Sequence, residues 1–320
     1  MRTVLIGAVE STATALEALA ERGVPPAALF TLPPSKAARH SDYVDLEPLA
    51  AASGVPVRHI VNVNAPEVLD QLGALEPTYA LVIGWSQICR RPFLAVASGG
   101  AIGYHPAPLP ENRGRAVIPW TILQGRHETG STLFWLDEGM DSGDILAQER
   151  FPVAPDETAA TLYAKHRQAL CRLLTATIPA LAAGAGPRTP QDHARATYCA
   201  KRTPADGLID WSAPADGVWT LIRAVGDPYP GAFSLRGDKA VFVWDAEFVG
   251  EAPYTGLPGQ VQALDETGAL VQCGDGRHVR LTVVQPEGEA RQPAGRVLKI
   301  HERLGIDWVA LWRRVAGGAA

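Results

Sequence analysis

The sequence predicts an α/β protein that continues into a smaller, β-rich domain. Two observations carry this. Short apolar runs alternate with helix-forming stretches through the first half, and beyond about residue 205 the pattern changes to short alternating runs separated by turns. At 320 residues the chain is too long for one typical domain and suits two. The expected division is a first domain over 1–185, a linker over 186–204 rich in Ala, Gly, Pro and polar residues, and a second domain over 205–320.

The elements follow in order. Arg2 to Gly7 reads as a buried strand, and Ser11 stands where an N-cap belongs, before a helix from Ala13 to Arg22 that ends at Gly23. Ala27 to Thr31 is a second strand, closed by Pro33 and Pro34. Val55 to Ile60 and Tyr79 to Gly84 are further strands with helices between them. Such alternation predicts a largely parallel sheet, which binds ligands beyond the carboxyl ends of its strands. The loops to inspect therefore begin at Ala8, Thr31, Gly84 and Gly103. From Asp156, a candidate cap, a helix is expected to about Leu181, with Leu162, Leu170, Leu173, Leu174 and Ile178 at helical spacing. In the second domain Val241 to Trp244 and Val279 to Val284 read as strands, with turns at 236–238 and 274–276, the pattern of a small barrel.

Composition removes several function classes. With 47% hydrophobic and 20% charged residues the chain carries a core and is not a disordered protein. A net charge of −5 gives no general reason to bind nucleic acid or an anionic membrane. The early apolar run Val4 to Val9 is too short for a signal-peptide core or a membrane span, so a cytoplasmic protein is expected. Cys89, Cys171, Cys199 and Cys273 form no CxxC pair, which argues against a disulfide framework or a zinc knuckle. No residue pattern calls for a metal.

The loop Gly7 to Ser11 lacks a GxGxxG or P-loop, which disfavours a nucleotide cradled on the first helix. Glu10 and Ser11 remain candidates for contact with a polar substrate, against the plainer reading of a helix cap. The polar, aromatic-bearing stretch His40 to Asp45 brings Tyr43 as a further candidate, against an ordinary helix entry.

Chemistry concentrates in Gly103-Tyr-His105-Pro-Ala-Pro-Leu-Pro110-Glu-Asn-Arg113-Gly-Arg115. His105 closes an apolar strand, and three prolines stiffen the loop after it. A histidine held there suits acid–base work because it titrates near neutrality. The second segment, Leu136-Asp137-Glu-Gly139-Met-Asp141-Ser-Gly143-Asp144, gathers acidic residues around two glycines. A calcium loop is an alternative, but the EF-hand spacing is absent. An aspartate beside a histidine fixes its tautomer and stabilises its cation, so His105 and Asp141 form a candidate base-and-orienter pair. Arg113 and Arg115 present planar donor forks suited to phosphate or carboxylate, or to an ion pair with the acidic loop.

These paired segments, with Glu128-Thr-Gly130 between them, resemble the formyltransferases that use 10-formyltetrahydrofolate: the methionyl-tRNA, glycinamide ribonucleotide and sugar N-formyltransferases. The likeness continues through Lys201 to Trp211 and Asp227 to Gly231, which are similar to the second domain of the methionyl-tRNA enzyme and to the domain that formylates UDP-aminoarabinose. The resemblance implies a Rossmann-like amino-terminal domain and a smaller OB-like barrel. It implies 10-formyltetrahydrofolate as donor, with tetrahydrofolate as product. It matches Gly84, Trp85, Gln87 and Ile88, with Leu109, Asp137 and Gly139, to the folate site. It matches His105 and Asp141 to the family's catalytic histidine and aspartate, the histidine taking the proton of the attacking amine. Glu10, Ser11, Tyr43, Asn112, Arg113 and Arg115 are left for the acceptor.

One position departs from the family. Gly103 stands where the family has a catalytic asparagine, whose amide helps polarise the formyl carbonyl; a donor of that kind is worth roughly 3–4 kcal/mol. His105 as a cation, a backbone N–H or Asn112 would have to replace it, or the chain binds folate without turnover.

For the acceptor, residues 205–320 carry 11 basic against 15 acidic residues, a net of −4. A tRNA-binding domain is expected to be basic, so this count favours a small amine, foremost a nucleotide-linked amino sugar, over nucleic acid. Methionyl-tRNA, hydroxyornithine and a non-catalytic folate-binding role are the alternatives. An apolar face on the second domain would support a homodimer.

Overall fold

The computed structural model describes residues 1–39 and 42–317; His40 and Ser41, expected in the loop over the cleft, lie outside this set. Contacts divide the chain into two units, one holding 1–121, 126–155 and 161–201, the other 122–125, 156–160 and the residues from Arg202 onward.

The first unit contains, in chain order, β1 (Thr3–Ile6), α1 (Glu10–Glu21), β2 (Leu29–Thr31), α2 (Glu47–Ala52), β3 (Val57–His59), α3 (Pro66–Gly73), β4 (Tyr79–Val82), α4 (Arg91–Leu94), β5 (Ala101–His105), β6 (Arg113–Gly114), α5 (Val117–Leu123), β7 (Glu128–Trp135), β8 (Ile145–Pro152), α6 (Ala159–Ala182) and β9 (Tyr198–Cys199). Seven strands form one sheet in the order β3-β2-β1-β4-β5-β7-β8. The first five run parallel; β7 and β8 add on antiparallel. Two-residue periodicity sends alternate side chains to opposite faces. Leu5, Leu29, Leu81 and Ile102 pack with α1 and α6 through Leu16, Leu19, Leu170 and Leu174. Their neighbours Ile6, Phe30, Val82 and Ala101 pack with α3 and α4 through Val68, Leu72 and Phe93. Both faces are covered, which is why these strands read as continuous apolar runs rather than alternating ones.

Three local expectations shift. Helix α1 begins at Glu10, so Ser11 lies buried in its first turn. Thr12 does the capping work instead: its hydroxyl accepts from the Val9 N–H at 3.2 Å and donates to the Ile83 carbonyl at 2.6 Å. Helix α6 starts at Ala159, so Thr158 rather than Asp156 precedes it. The stretch read as a linker is folded onto the first unit as far as Lys201, where β9 pairs in parallel with β6 (Arg113↔Tyr198, Gly114↔Cys199).

The second unit holds α7 (Ala215–Val225), β10 (Ala232–Arg236), β11 (Lys239–Gly250), β12 (Val261–Leu264), β13 (Ala269–Gln272), β14 (His278–Pro286), β15 (Gln292–Pro293), α8 (Ala294–Val297) and α9 (Trp308–Gly317). Its six strands form an antiparallel sheet in the order β10-β11-β14-β13-β12, with β15 on β14. Val241, Val243, Val261, Val271, Val279, Leu281 and Val284 make its buried side. Among the described residues no helix is long and apolar enough to cross a membrane.

Candidate active site

Strand β5 ends at His105 on the face shared with Ala101 and Gly103. The ring is buried, and its Nε2 lies 2.7 Å from the Asn112 carbonyl. A carbonyl only accepts, so Nε2 carries a proton and the neutral ring presents the Nδ1 lone pair. That nitrogen faces Asp141, with Oδ2 at 3.7 Å. The Gly114 N–H donates to the same oxygen at 2.8 Å. The expected orienting role therefore changes hands. The Asn112 carbonyl fixes the imidazole, and the Asp141 carboxylate stands on the side of the ring that takes up a proton. Two acceptors only 3.7 Å apart suit a donor that reaches both from one side, which is what an amine brings.

This arrangement sits on strained backbone. Asn112 (φ +54°), Ala116 (φ +53°) and Asp141 (φ +50°) all adopt the left-handed region, a cost of about 1–3 kcal/mol each. Gly114 is required between them: its φ is +104°, and a Cβ there would lie 2.4 Å from the Cys199 carbonyl oxygen. Strain at functional sites persists only where surrounding bonds over-determine it.

Gly103 faces Phe134 across the β5–β7 pairing. A Cβ on it would lie 2.7 Å from Leu136 Cδ2 and 2.9 Å from Phe134 Cε1. The volume of the missing asparagine is thus filled by a buried aromatic ring. Asn112 is tied to the returning chain: its backbone N–H donates to Thr197 Oγ1 at 2.8 Å, and its Oδ1 accepts from the same hydroxyl at 3.4 Å.

The other expected residues divide by neighbourhood. Gly84 (φ +74°) abuts the first loop, where an added Cβ would meet Val9 and the Ser11 hydroxyl. Trp85 is partly buried, and its indole N–H is enclosed without a hydrogen-bond partner among the described residues. Ile88 is 69% exposed, as is Met140 at 56% in the acidic turn. Leu109 is buried, its N–H on Thr132 Oγ1. Asp137 closes its own turn by accepting from the Gly139 N–H at 3.0 Å and the Ser142 hydroxyl at 2.8 Å. Gln87 accepts from the Val63 N–H at 2.9 Å and donates to the Val61 carbonyl at 2.5 Å, bracing loop 61–63.

Among the acceptor candidates, Tyr43 bridges to Val9, and burial, with Asp45 and Glu47 nearby, raises its phenol. Glu10 pairs with Arg167 of α6 at 2.8 Å. Arg115 donates to the Ser86 carbonyl at 2.6 Å and so ties the histidine loop to the 84–88 loop. Arg113 stands in a different environment from Arg115. It is 3% exposed and turns inward, donating to Gln191 Oε1 at 2.7 Å and His193 Nδ1 at 3.0 Å.

Gln191 and Thr197 escaped sequence reasoning because they lie in an Ala- and Pro-rich stretch without periodicity. So did His166 of α6, which meets Ser131 Oγ at 2.9 Å, with Tyr104 Oη on the same hydroxyl at 3.0 Å. Burial, with the His105 charge as a lesser cause, pushes His166 down to about 3, so it is neutral at working pH.

The comparisons with known proteins meet this geometry at the same segments. Residues 3–178 match the formyl transferase family, and residues 201–302 match the formyl transferase C-terminal domain. The chain belongs to the formyl transferase family. Formyltransferases of this family draw on 10-formyltetrahydrofolate. A methionyl-tRNA formyltransferase of Symbiobacterium thermophilum is 35% identical over 297 residues, covering 92% of this chain and 90% of that protein. One from Moorella thermoacetica is 32% identical over 301 residues, covering 93% and 96%. Among solved structures, HypX from Aquifex aeolicus with tetrahydrofolic acid superposes with a TM-score of 0.66 at 20% identity. That match covers 93% of this chain and 47% of HypX, so the chain spans about half of that protein. The N-formyltransferase from Helicobacter canadensis, with folinic acid and dTDP-3-aminofucose, reaches 0.63 at 16% identity over 88% and 99%. These two share the fold with this formyltransferase.

Proposed function

We propose that this formyltransferase moves a formyl group from 10-formyltetrahydrofolate to the amino group of methionyl-tRNA. The observation that carries the acceptor is the 35% identity to an enzyme of that name across nearly the full length of both chains. The expected sugar nucleotide, and the expectation that nucleic acid is an unsuited partner, rested on a net charge over 205–320. A net count averages over a whole surface, whereas phosphate contact needs only a local basic stripe. The structural relatives with sugar substrates share less than 20% identity and speak for the fold alone.

The residues fit a folate. The enclosed, unpartnered Trp85 N–H offers a donor, and exposed Ile88 and Met140 offer apolar surface to a flat ring. Gly84, Trp85, Ile88, Leu109, Asp137 and Gly139 would hold it. Bound there, 10-formyltetrahydrofolate supplies the electrophilic formyl carbon. Nδ1 of His105 takes the proton of the amine as it attacks, a role worth about 10²–10⁴-fold. Asp141 accepts a hydrogen bond from the same amine and favours the imidazole cation by its charge. The Asn112 carbonyl keeps Nε2 protonated throughout, so the ring presents one nitrogen only. As the bond between the formyl carbon and N10 breaks, the His105 cation would give its proton to N10, so that tetrahydrofolate leaves neutral and the histidine returns to its starting form.

The test is a mass-spectrometric transfer assay with purified protein, 10-formyltetrahydrofolate and, in parallel, methionyl-tRNA, nucleotide-linked amino sugars and hydroxyornithine. A formyl mass gain on methionyl-tRNA is expected. A gain on a sugar nucleotide instead would restore the reading from charge. Folate binding with transfer to none of these amines would defeat the enzymatic reading.

A further inference from the structure

Three consecutive residues after the proline-rich loop face different parts of the site. The Asn112 carbonyl holds His105, the Gly114 N–H holds the Asp141 carboxylate, and Arg113 between them reaches inward to Gln191. Gln191 is buried, and its amide is fully committed. Oε1 accepts from Arg113 Nη2 at 2.7 Å, while Nε2 donates to the main-chain carbonyls of Asp141 at 2.9 Å and Gly143 at 2.7 Å.

Those two carbonyls flank the tightest part of the acidic turn. Asp141 is left-handed at φ +50°, and a Cβ at Gly143 would lie 1.8 Å from the Trp135 carbonyl oxygen. A non-glycine residue at such a φ relaxes unless its peptide is pinned. One amide pins both carbonyls while gripping the guanidinium that sits in the histidine loop. Thr197 adds a second tie, its carbonyl accepting from the Arg113 N–H at 2.8 Å.

We infer that Gln191 is a positioning residue that sets the separation of His105 Nδ1 from Asp141 by locking the acidic turn to the histidine loop through Arg113. It touches neither substrate nor reacting atom in this arrangement; it acts through Asp141. The inference rests on the proposed formyl transfer for its kinetic consequence and on geometry alone for its structural one.

The test uses Gln191→Met, which keeps the volume and removes all three bonds, and Gln191→Glu, which keeps the acceptor for Arg113 and removes both donors. For both variants kcat is expected to fall about 10²-fold, the scale of a 1 Å misplacement, with KM for donor and acceptor within about threefold of wild type. In an Asp141→Asn background the same substitutions are expected to cost less than about threefold, because the carboxylate they position is already gone. An equal fold-loss in both backgrounds, or an unchanged kcat, would overturn the inference. Gln191→Glu guards against a variant that merely misfolds, since it leaves the buried guanidinium paired. A crystal structure of either variant is independent of activity: the 3.7 Å separation is expected to widen, and an unchanged separation would also overturn it. If wild-type protein transfers no formyl group to any acceptor, the formyl-transfer reading falls, and the crystallographic result still decides the role of Gln191.

Discussion

Around His105, the Asn112 carbonyl holds the imidazole and the Gly114 N–H holds the Asp141 carboxylate, while the Thr197 hydroxyl and the Gln191 amide hold the backbone of Asn112 and of Asp141. On the antiparallel sheet of the second unit, charged groups pair where they stand. Arg280 meets Asp265 at 2.8 Å, and Arg291 meets Asp227 at 2.6 Å while stacking on Trp244. These partners are largely solvent-facing, and water screens them. The difference teaches that counting polar contacts says little about their use. In the first region each bond fixes a reacting group or the strained backbone that carries it. In the second, the bonds tidy a surface.

The comparison breaks most visibly at His105. Replacing it with alanine is expected to lower kcat by about 10²–10⁴-fold. A variant near wild-type turnover would remove His105 from the chemistry. Asp141→Asn keeps the shape but removes the charge facing Nδ1, and a smaller kcat loss is expected, measured in the same steady-state assay.

His166 sharpens the comparison from within the first unit. Held neutral near 3 in the fold against about 6.5 in an unfolded chain, it binds fewer protons folded than unfolded between those values. Stability is therefore lost as pH falls from about 6.5 towards 3. Thermal melts from pH 8 to 4 should show a steeper acid decline in wild type than in His166→Asn; parallel curves would contradict this.

Gly103→Asn must displace Phe134 and Leu136, and overpacking of this kind costs about 1–3 kcal/mol. Lower stability without faster turnover is expected in denaturant unfolding and in the transfer assay; a faster enzyme would mean the amide still fits. The smallest effect belongs to the sheet. Arg291→Ala should change unfolding free energy by about 1 kcal/mol or less, given the exposure of both partners.

Much of this was legible in sequence because it is local. The strand that delivers His105, the stiff proline loop and the glycine-punctuated acidic turn all sit within runs of a dozen residues, where periodicity and turn chemistry speak. What stayed hidden depends on pairing across long stretches of chain. Arg113, between Asn112 and Gly114, looks like a surface cation; only the return of β9 some 85 positions later buries it. Gln191 carries no periodic signal, and nothing local announces that its amide will meet Asp141. Phe134 could be read as a core strand residue, but its place over Gly103 follows from the antiparallel register of β5 and β7.

The β6–β9 pairing also bears on how such chains can be recombined. The first unit does not end with its last long helix at Ala182; the peptide through Lys201 is part of it. A chimera that exchanged second domains at residue 185 would import a foreign 191–199 segment against a native histidine loop, and its inactivity would be misread as domain incompatibility. A junction placed after Lys201 keeps the two halves of that small sheet from one parent.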